Sequence, residues 1–478
     1  MCASFSAPTL RRTAAARLAA VTLATGLVAA GVLTAAGPAA ADDTPQNQGG
    51  ATATMGGLKT FANAVVHDDG ADYQVSAGLF EMSVDGGGTL QTYCTDLHNP
   101  TQRDAKYHET PWSGTSLGTN RSAGKIRWIV QHSYPQVNDL AALATKAGVA
   151  NLSEQDAAAG TQVAIWRYSD GARVDAVDPQ AEKLADYLQR SARDLPEPAA
   201  SLILDPPAVS GHPGERVGPV TVHTGAGSVS VTPPVDAADS GVRIVGADGR
   251  PVTSAADGSR IYFQVPKEPK GGSSSASGAA GGTAELTVQG STTVPVGRAF
   301  TSDSRSQTQI LAGSSESTVS ATASATWAGT GAIPALSAAK DCVRGGLAIT
   351  ATNKGDAPFA FRLMGVGHSI APGASQRVLI PLREDQAYDF TITGPQGFGR
   401  RFAGVLDCRT QGGAGGTTTQ TLSEPAPATV GGTAAGTNLA ETGGTSTTPL
   451  IAATGLSLLV LGATALSIVR KKRTPTEN

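Results

Sequence analysis

The stretch that decides the reading runs from Leu152 to Gly171, LSEQDAAAGTQVAIWRYSDG. Ser153 is a good helix N-cap with Asp156 three residues on, a variant of the capping box, and Ser169 to Gly171 ends the helix. Within it Ala158, Gln162, Ile165, Trp166 and Ser169 fall along one stripe at i, i+3 and i+4 spacing. A carboxamide therefore sits on an otherwise apolar face beside an indole. A buried amide needs hydrogen-bond partners or a chemical task. Taken by itself, the helix favours backbone partners.

The sequence around this helix, roughly residues 52–199, mixes strands with further helices. Phe80, Met82 and Val84 alternate on one face, Asp85 to Gly88 makes a turn, and Leu90, Thr92 and Cys94 alternate on a return strand. Cys94 lies at that strand's end, before the polar turn DLHNP at 96–100. Helical periodicity returns at 123–134, with Ile126, Ile129 and Val130 on one side, and at 178–192, with Leu184 and Leu188.

Two further blocks follow, both strand-like. Residues 332–410 hold short alternating runs (GLAITATN, FAFRLMG, SQRVLIPL, YDFTITG, RRFAGVLD) bounded by Gly, Pro or Asp, which predicts an all-β, immunoglobulin-like sandwich. Cys342 and Cys408 flank those runs. In an oxidising compartment they are expected to pair, closing a loop that stabilises the block by about 4 kcal/mol on the loop-entropy argument. Residues 200–331 predict a second β-sandwich with less defined edges. The expected class is thus multidomain: an α+β first domain (52–199), then two all-β sandwiches (200–331 and 332–410). The Gly, Thr, Ala and Pro-rich segment 411–438 cannot build a core and is expected to be a linker.

The two ends speak to location. Residues 1–41 have a basic start at Arg11, Arg12 and Arg17, an apolar stretch, and small residues up to Ala41, the order of a secretion signal peptide. From Pro449 to Val469 there is no charge; as a transmembrane helix this run would span about 31 Å, close to one hydrocarbon core. Arg470, Lys471, Lys472 and Arg473 follow, which the positive-inside rule places in the cytoplasm. Just before the span stand Leu439, Ala440, Glu441, Thr442 and Gly443. Pentapeptide, apolar span and basic tail (439–478) together resemble a sortase cell-wall sorting signal, in the LAXTG form of high-GC Gram-positive (actinobacterial) organisms. The resemblance implies cleavage between Thr442 and Gly443 by a class E-like sortase and transfer of the Thr442 carboxyl to a cell-wall precursor.

The same resemblance extends inward. YCTD at 93–96 and TQVAIW at 161–166 resemble two motifs of the thioester-domain adhesins of Gram-positive bacteria. Carried over, Cys94 and Gln162 form an internal thioester, while Tyr93, Thr161, Ala164 and Trp166 pack around it. The chemistry suits these residue types. A thiolate is the nucleophile, and a carboxamide is the neutral side-chain acyl group that can release ammonia. A target amine, typically a lysine, would then attack the acyl carbon and leave an amide bond. The resemblance implies a surface adhesin that binds its target covalently, is not a turnover enzyme and needs no cofactor or metal.

Other classes remain to be weighed. The chain's formal net charge is −3, and both ends carry net positive charge, so the segment between them is more acidic still. That excludes an electrostatic footprint for nucleic acid. A cysteine hydrolase would pair Cys94 with a histidine, and His67, His98, His108 and His132 share its block, but no hydrolase motif surrounds the cysteine. One cysteine with scattered histidines gives no metal-ligand spacing. The serious rival is a non-covalent adhesin or stalk protein in which Cys94 is inert.

Overall fold

The computed structural model describes residues 49–68, 70–267 and 281–410. The signal peptide, the linker 411–438 and the sorting signal with its apolar span lie outside them. Among the described residues no helix is long and apolar enough to cross a membrane.

The first block supplies strands β1 (Thr52–His67), β2 (Asp72–Val84), β3 (Thr89–Cys94), β4 (Lys106–Thr110) and β5 (Val174–Ala176), with helices α1 (Ala123–His132), α2 (Leu140–Ala147), α3 (Glu154–Ser169) and α4 (Pro179–Ser191). The β2–β3 hairpin forms as its alternation predicts, with Phe80 opposite Thr92 and Met82 opposite Leu90. Its turn needs glycine: Gly86, Gly87 and Gly88 all have positive φ. Helix α3 begins at the capping box, in which Ser153 Oγ accepts from Asp156 N and Asp156 Oδ2 accepts from Ser153 N, each at 3.1 Å. The helix is not the one-sided element its stripe suggested. Every residue from Ala157 to Trp166 is buried, because α3 is packed against β1, β2 and β3 and also against α1 and α4. The small residues make this possible: a Cβ on Gly160 would lie 2.5 Å from Ala181 O of α4.

The second block contributes β6 (Leu202–Asp205), β7 (Ala208–Gly211), β8 (Arg216–Thr224), β9 (Val229–Thr232), β10 (Arg243–Gly246), β11 (Ser254–Ala255), β12 (Arg260–Gln264) and β13 (Gly282–Thr293), then β14 (Ala299–Ser302), β15 (Gln309–Ser314) and β16 (Glu316–Trp327). Nine of these strands make a four-stranded sheet, β10-β12-β8-β6, and a five-stranded sheet, β11-β9-β13-β16-β7. The hairpin β14–β15 does not join them. It completes the sheet of the first block, a seven-stranded array ordered β2-β3-β15-β14-β4-β1-β5. One apolar core accordingly runs from Ala51 to Ala325, and no break in it falls at the 199/200 boundary expected from composition.

A buried ion cluster fixes that hairpin. Arg298, just before β14, donates from Nε to Glu109 Oε1 of β4 at 2.8 Å and from Nη1 to Glu197 Oε1 at 2.6 Å. Glu109 also accepts from Ser201 N, Ser201 Oγ and Ala51 N. Glu109 and Arg298 are both buried, and every oxygen of Glu109 is engaged, the condition under which a buried charge pair is tolerated.

The third block has its own core, built on residues such as Leu336, Ile349, Phe359, Phe361 and Phe402. Its strands are β17 (Pro334–Asp341), β18 (Gly346–Asn353), β19 (Phe359–Leu363), β20 (Val366–Ile370), β21 (Ser375–Pro381), β22 (Ala387–Thr393) and β23 (Gly399–Val405). They form one three-stranded sheet, β17-β18-β21, and two hairpins, β19–β20 and β22–β23. The result is a β domain of small sheets. The five predicted runs coincide with β18, β19, β21, β22 and β23; β17 and β20 lie outside them. Cys342 therefore follows the first strand of the block, and its disulfide to Cys408 is present.

Candidate functional site

Cys94 closes β3 and is wholly buried. Side chains alternate across a strand, so Thr92 and Cys94 face one way and Tyr93 the other. Tyr93 faces the helices: its hydroxyl donates to Tyr134 O at 2.8 Å and hydrogen bonds with the Thr161 side chain of α3. The thiol therefore points away from the helical layer, toward the loop that follows β3 and toward β15.

The residue opposite Cys94 on β15 is Gln309. Its Nε2 donates to Cys94 Sγ at 3.3 Å and to Thr101 Oγ1 at 3.1 Å. Thr101 Oγ1 lies 3.4 Å from the same sulfur, and the Thr92 hydroxyl donates to Gln309 Oε1 at 3.0 Å. Thr92, Thr101 and Gln309 are all buried. Tyr107 of β4 stands nearby, donating to Gln307 O at 2.9 Å and paired with Ser306 Oγ at 2.6 Å. The Gln307 backbone is thus held by β4, while its side-chain Oε1 accepts from Asp96 N at 3.3 Å. These bonds pin the loop after β3 to the one between β14 and β15.

Gln162 touches Cys94 differently. Its Nε2 donates to Cys94 O at 2.9 Å and its Oε1 accepts from Cys94 N at 3.0 Å. The reason lies in the sheet. Pairing of β2 with β3 stops at Phe80 opposite Thr92, so on that side Cys94 has no strand neighbour. The amide of Gln162 takes the place of a peptide group there and meets the obligation of both backbone groups. The expectation that Gln162 faces the thiol is corrected here: both of its polar ends are used on the backbone, and the amide at the sulfur is that of Gln309. Trp166, Ala164, Thr161 and Tyr93 are all fully buried, and the side chains in polar contact with the sulfur are Thr101 and Gln309.

Burial pushes the Cys94 thiol up to about 12; hydrogen bonds from Thr101 and Gln309 act the other way, and the charges of Asp96 and Asp170 add to the rise. Asp170 itself is held well above the carboxylate range, first by burial and then by Asp96. At neutral pH the sulfur is a protonated thiol. The histidines do not change this picture. His67 pairs with Asp72 and Asp175, His108 with Asp303, and His132 stacks on Trp128. The backbone N–H of His98 donates to Asp96 Oδ1.

Gln309, Thr92, Thr101 and Tyr107 were not singled out from sequence. Thr92 was visible on the face of Cys94. Gln309 opens an apolar run, QILA, but only the long-range pairing of β15 with β3 puts it at the sulfur.

Comparison with known families bears directly on these strands and helices. Residues 91–194 match the family described as Thioester domain. The match takes in Cys94 and all of α1 to α4 but ends before β15. A second family, described as Bacterial phospholipase C, C-terminal domain, matches residues 332–405, the third block. Among solved structures the chain is similar to the Bacillus anthracis TIE protein, at 13% identity over 74% of this chain and 63% of that one, TM-score 0.26. It is also similar to the thioester domain of the Enterococcus faecium TIE86 protein, at 15% identity over 58% of this chain and 95% of that one, TM-score 0.26. The chain thus spans less than two thirds of the first of these proteins. A comparison with curated proteins finds no match.

Proposed function

We propose that the protein is a cell-surface adhesin that captures its target covalently, through an internal thioester between Cys94 and Gln309. The observation that carries this is the 3.3 Å approach of the Gln309 amide nitrogen to Cys94 Sγ, between two fully buried side chains on adjacent strands. The thioester-domain match over residues 91–194 supports it. A rigid sheet supplies what a poor electrophile needs, since thiol and amide are held in contact by strand register. Burial protects the bond, once made, from water. An amine, such as a lysine side chain of the target, then attacks the acyl carbon, frees the Cys94 thiol and leaves an amide. Each molecule acts once. The sorting-signal resemblance at 439–443 supports attachment to a Gram-positive cell wall by a sortase, with the linker 411–438 standing between the wall and the folded part.

Intact mass tests the proposal. The chain carrying the bond is lighter than its sequence by one ammonia and gains one methylamine on treatment. Peptide mapping should place the methylamide on Gln309. A methylamide on Gln162 would restore the other pairing, and a full sequence mass with a titratable thiol would leave a non-covalent adhesin with an inert Cys94.

A further inference from the structure

We propose that the Thr101 hydroxyl is the proton relay of this site, passing the Cys94 proton to the departing Gln309 nitrogen when the bond forms and running in reverse when an amine is captured. The inference rests on Cys94 and Gln309 being the thioester pair.

Formation joins Sγ to the Gln309 side-chain carbonyl carbon and breaks that carbon's bond to Nε2. The sulfur must lose one proton and the nitrogen must gain one, so that ammonia leaves. Neither end manages this alone. The buried sulfur is held as a thiol at neutral pH, and an amide nitrogen does not depart without being protonated. One atom bridges the two: Thr101 Oγ1, 3.4 Å from Sγ and 3.1 Å from Nε2. A hydroxyl accepts one proton while donating another, so a single concerted transfer balances the step and leaves no ion behind in a dry site. The nearest carboxylates are engaged elsewhere: Asp170 accepts from Leu97 N and Ser169 Oγ, and Asp96 accepts from His98 N.

A second hydroxyl completes the arrangement. Thr92 donates to Gln309 Oε1 at 3.0 Å, the oxygen on which negative charge builds when sulfur adds to the carbonyl. Capture by a target amine is the same reaction with a different nitrogen. The amine adds to the acyl carbon, its surplus proton passes through Thr101 to the leaving sulfur, and Cys94 returns to a thiol. One residue thus serves both the making and the spending of the bond.

The test uses the full chain and its Thr101→Val and Thr101→Ser variants. Ammonium opens the bond to Gln and Cys; after desalting, the loss of one ammonia is followed by mass, and methylamine uptake is followed in parallel. Valine keeps the shape and removes the hydroxyl, so both rates should fall on the order of 100-fold, while serine should stay within about threefold of the parent. Near-parental rates for a folded Thr101→Val protein overturn the relay. If Thr101→Val does not fold, the parent chain decides in heavy water: both rates should drop by about twofold or more, and no solvent isotope effect overturns the proposal. A parent chain that never lacks ammonia overturns the thioester itself, a result distinct from either of these.

Discussion

Replacing Gln162 by leucine separates the amide that holds the backbone from the amide proposed to react, that of Gln309. Leucine fills similar space but returns neither hydrogen bond, so Cys94 N and Cys94 O, now met at 3.0 and 2.9 Å, are left unpaired at a position with no exposure. Each orphaned buried group costs about 1–3 kcal/mol, so the pair should cost about 4 kcal/mol. The measurement is best made in a Cys94→Ala background, where no cross-link contributes and the backbone of residue 94 is unchanged. Urea unfolding should show that loss as a lower midpoint at an unchanged slope. With Cys94 restored, the fraction of Gln162→Leu protein that folds should still lack one ammonia, because Gln309 is untouched. A cost below about 1 kcal/mol would refute the backbone role. A folded Gln162→Leu chain of full sequence mass would refute the assignment of the reacting amide.

Three further outcomes follow from the same structure. Glu109→Leu leaves Arg298 buried without its main partner and should cost about 3–5 kcal/mol, with slowed thioester formation because β14–β15 loses its anchor; calorimetry and mass read the two effects. Opening the bond with methylamine removes a cross-link between residues 215 apart, which on the loop-entropy argument should lower stability by about 5 kcal/mol, seen as an earlier thermal transition in the treated protein. In that opened form the Cys94 thiol, pushed up to about 12 in the folded chain, binds its proton more tightly than in the unfolded chain. Its contribution is therefore whole below about pH 9 and is lost toward pH 12, by about 4 kcal/mol over the window; pH-dependent unfolding relative to Cys94→Ala isolates it.

Local pattern carried much of this into the sequence. The capping box at Ser153 and Asp156, the Asp85–Gly88 turn and the alternation into Cys94 are short-range signals, and each appears where it was read. The Cys342–Cys408 bridge followed from flanking positions. What escaped was long-range. Gln162 and Gln309 are both glutamines after a threonine, and nothing local tells which reaches the sulfur. That is settled by β2 stopping short of Cys94 and by β15 crossing to β3, a pairing over more than 200 residues. Composition marked 200–331 as one β block, yet β14 and β15 belong to the neighbouring sheet. Strand-forming residues declare a strand and say little about which sheet it joins.

That crossing strand also imposes an order of events. A chain made from its N-terminus presents Cys94 long before Gln309 exists, and the whole run from β6 to β13 is made before β15 can reach its place beside β3. On the proposed Cys94–Gln309 pairing the bond is therefore made last: a copy truncated before β15 carries the thiol without its acyl partner, so amine uptake would itself certify that the molecule has been finished.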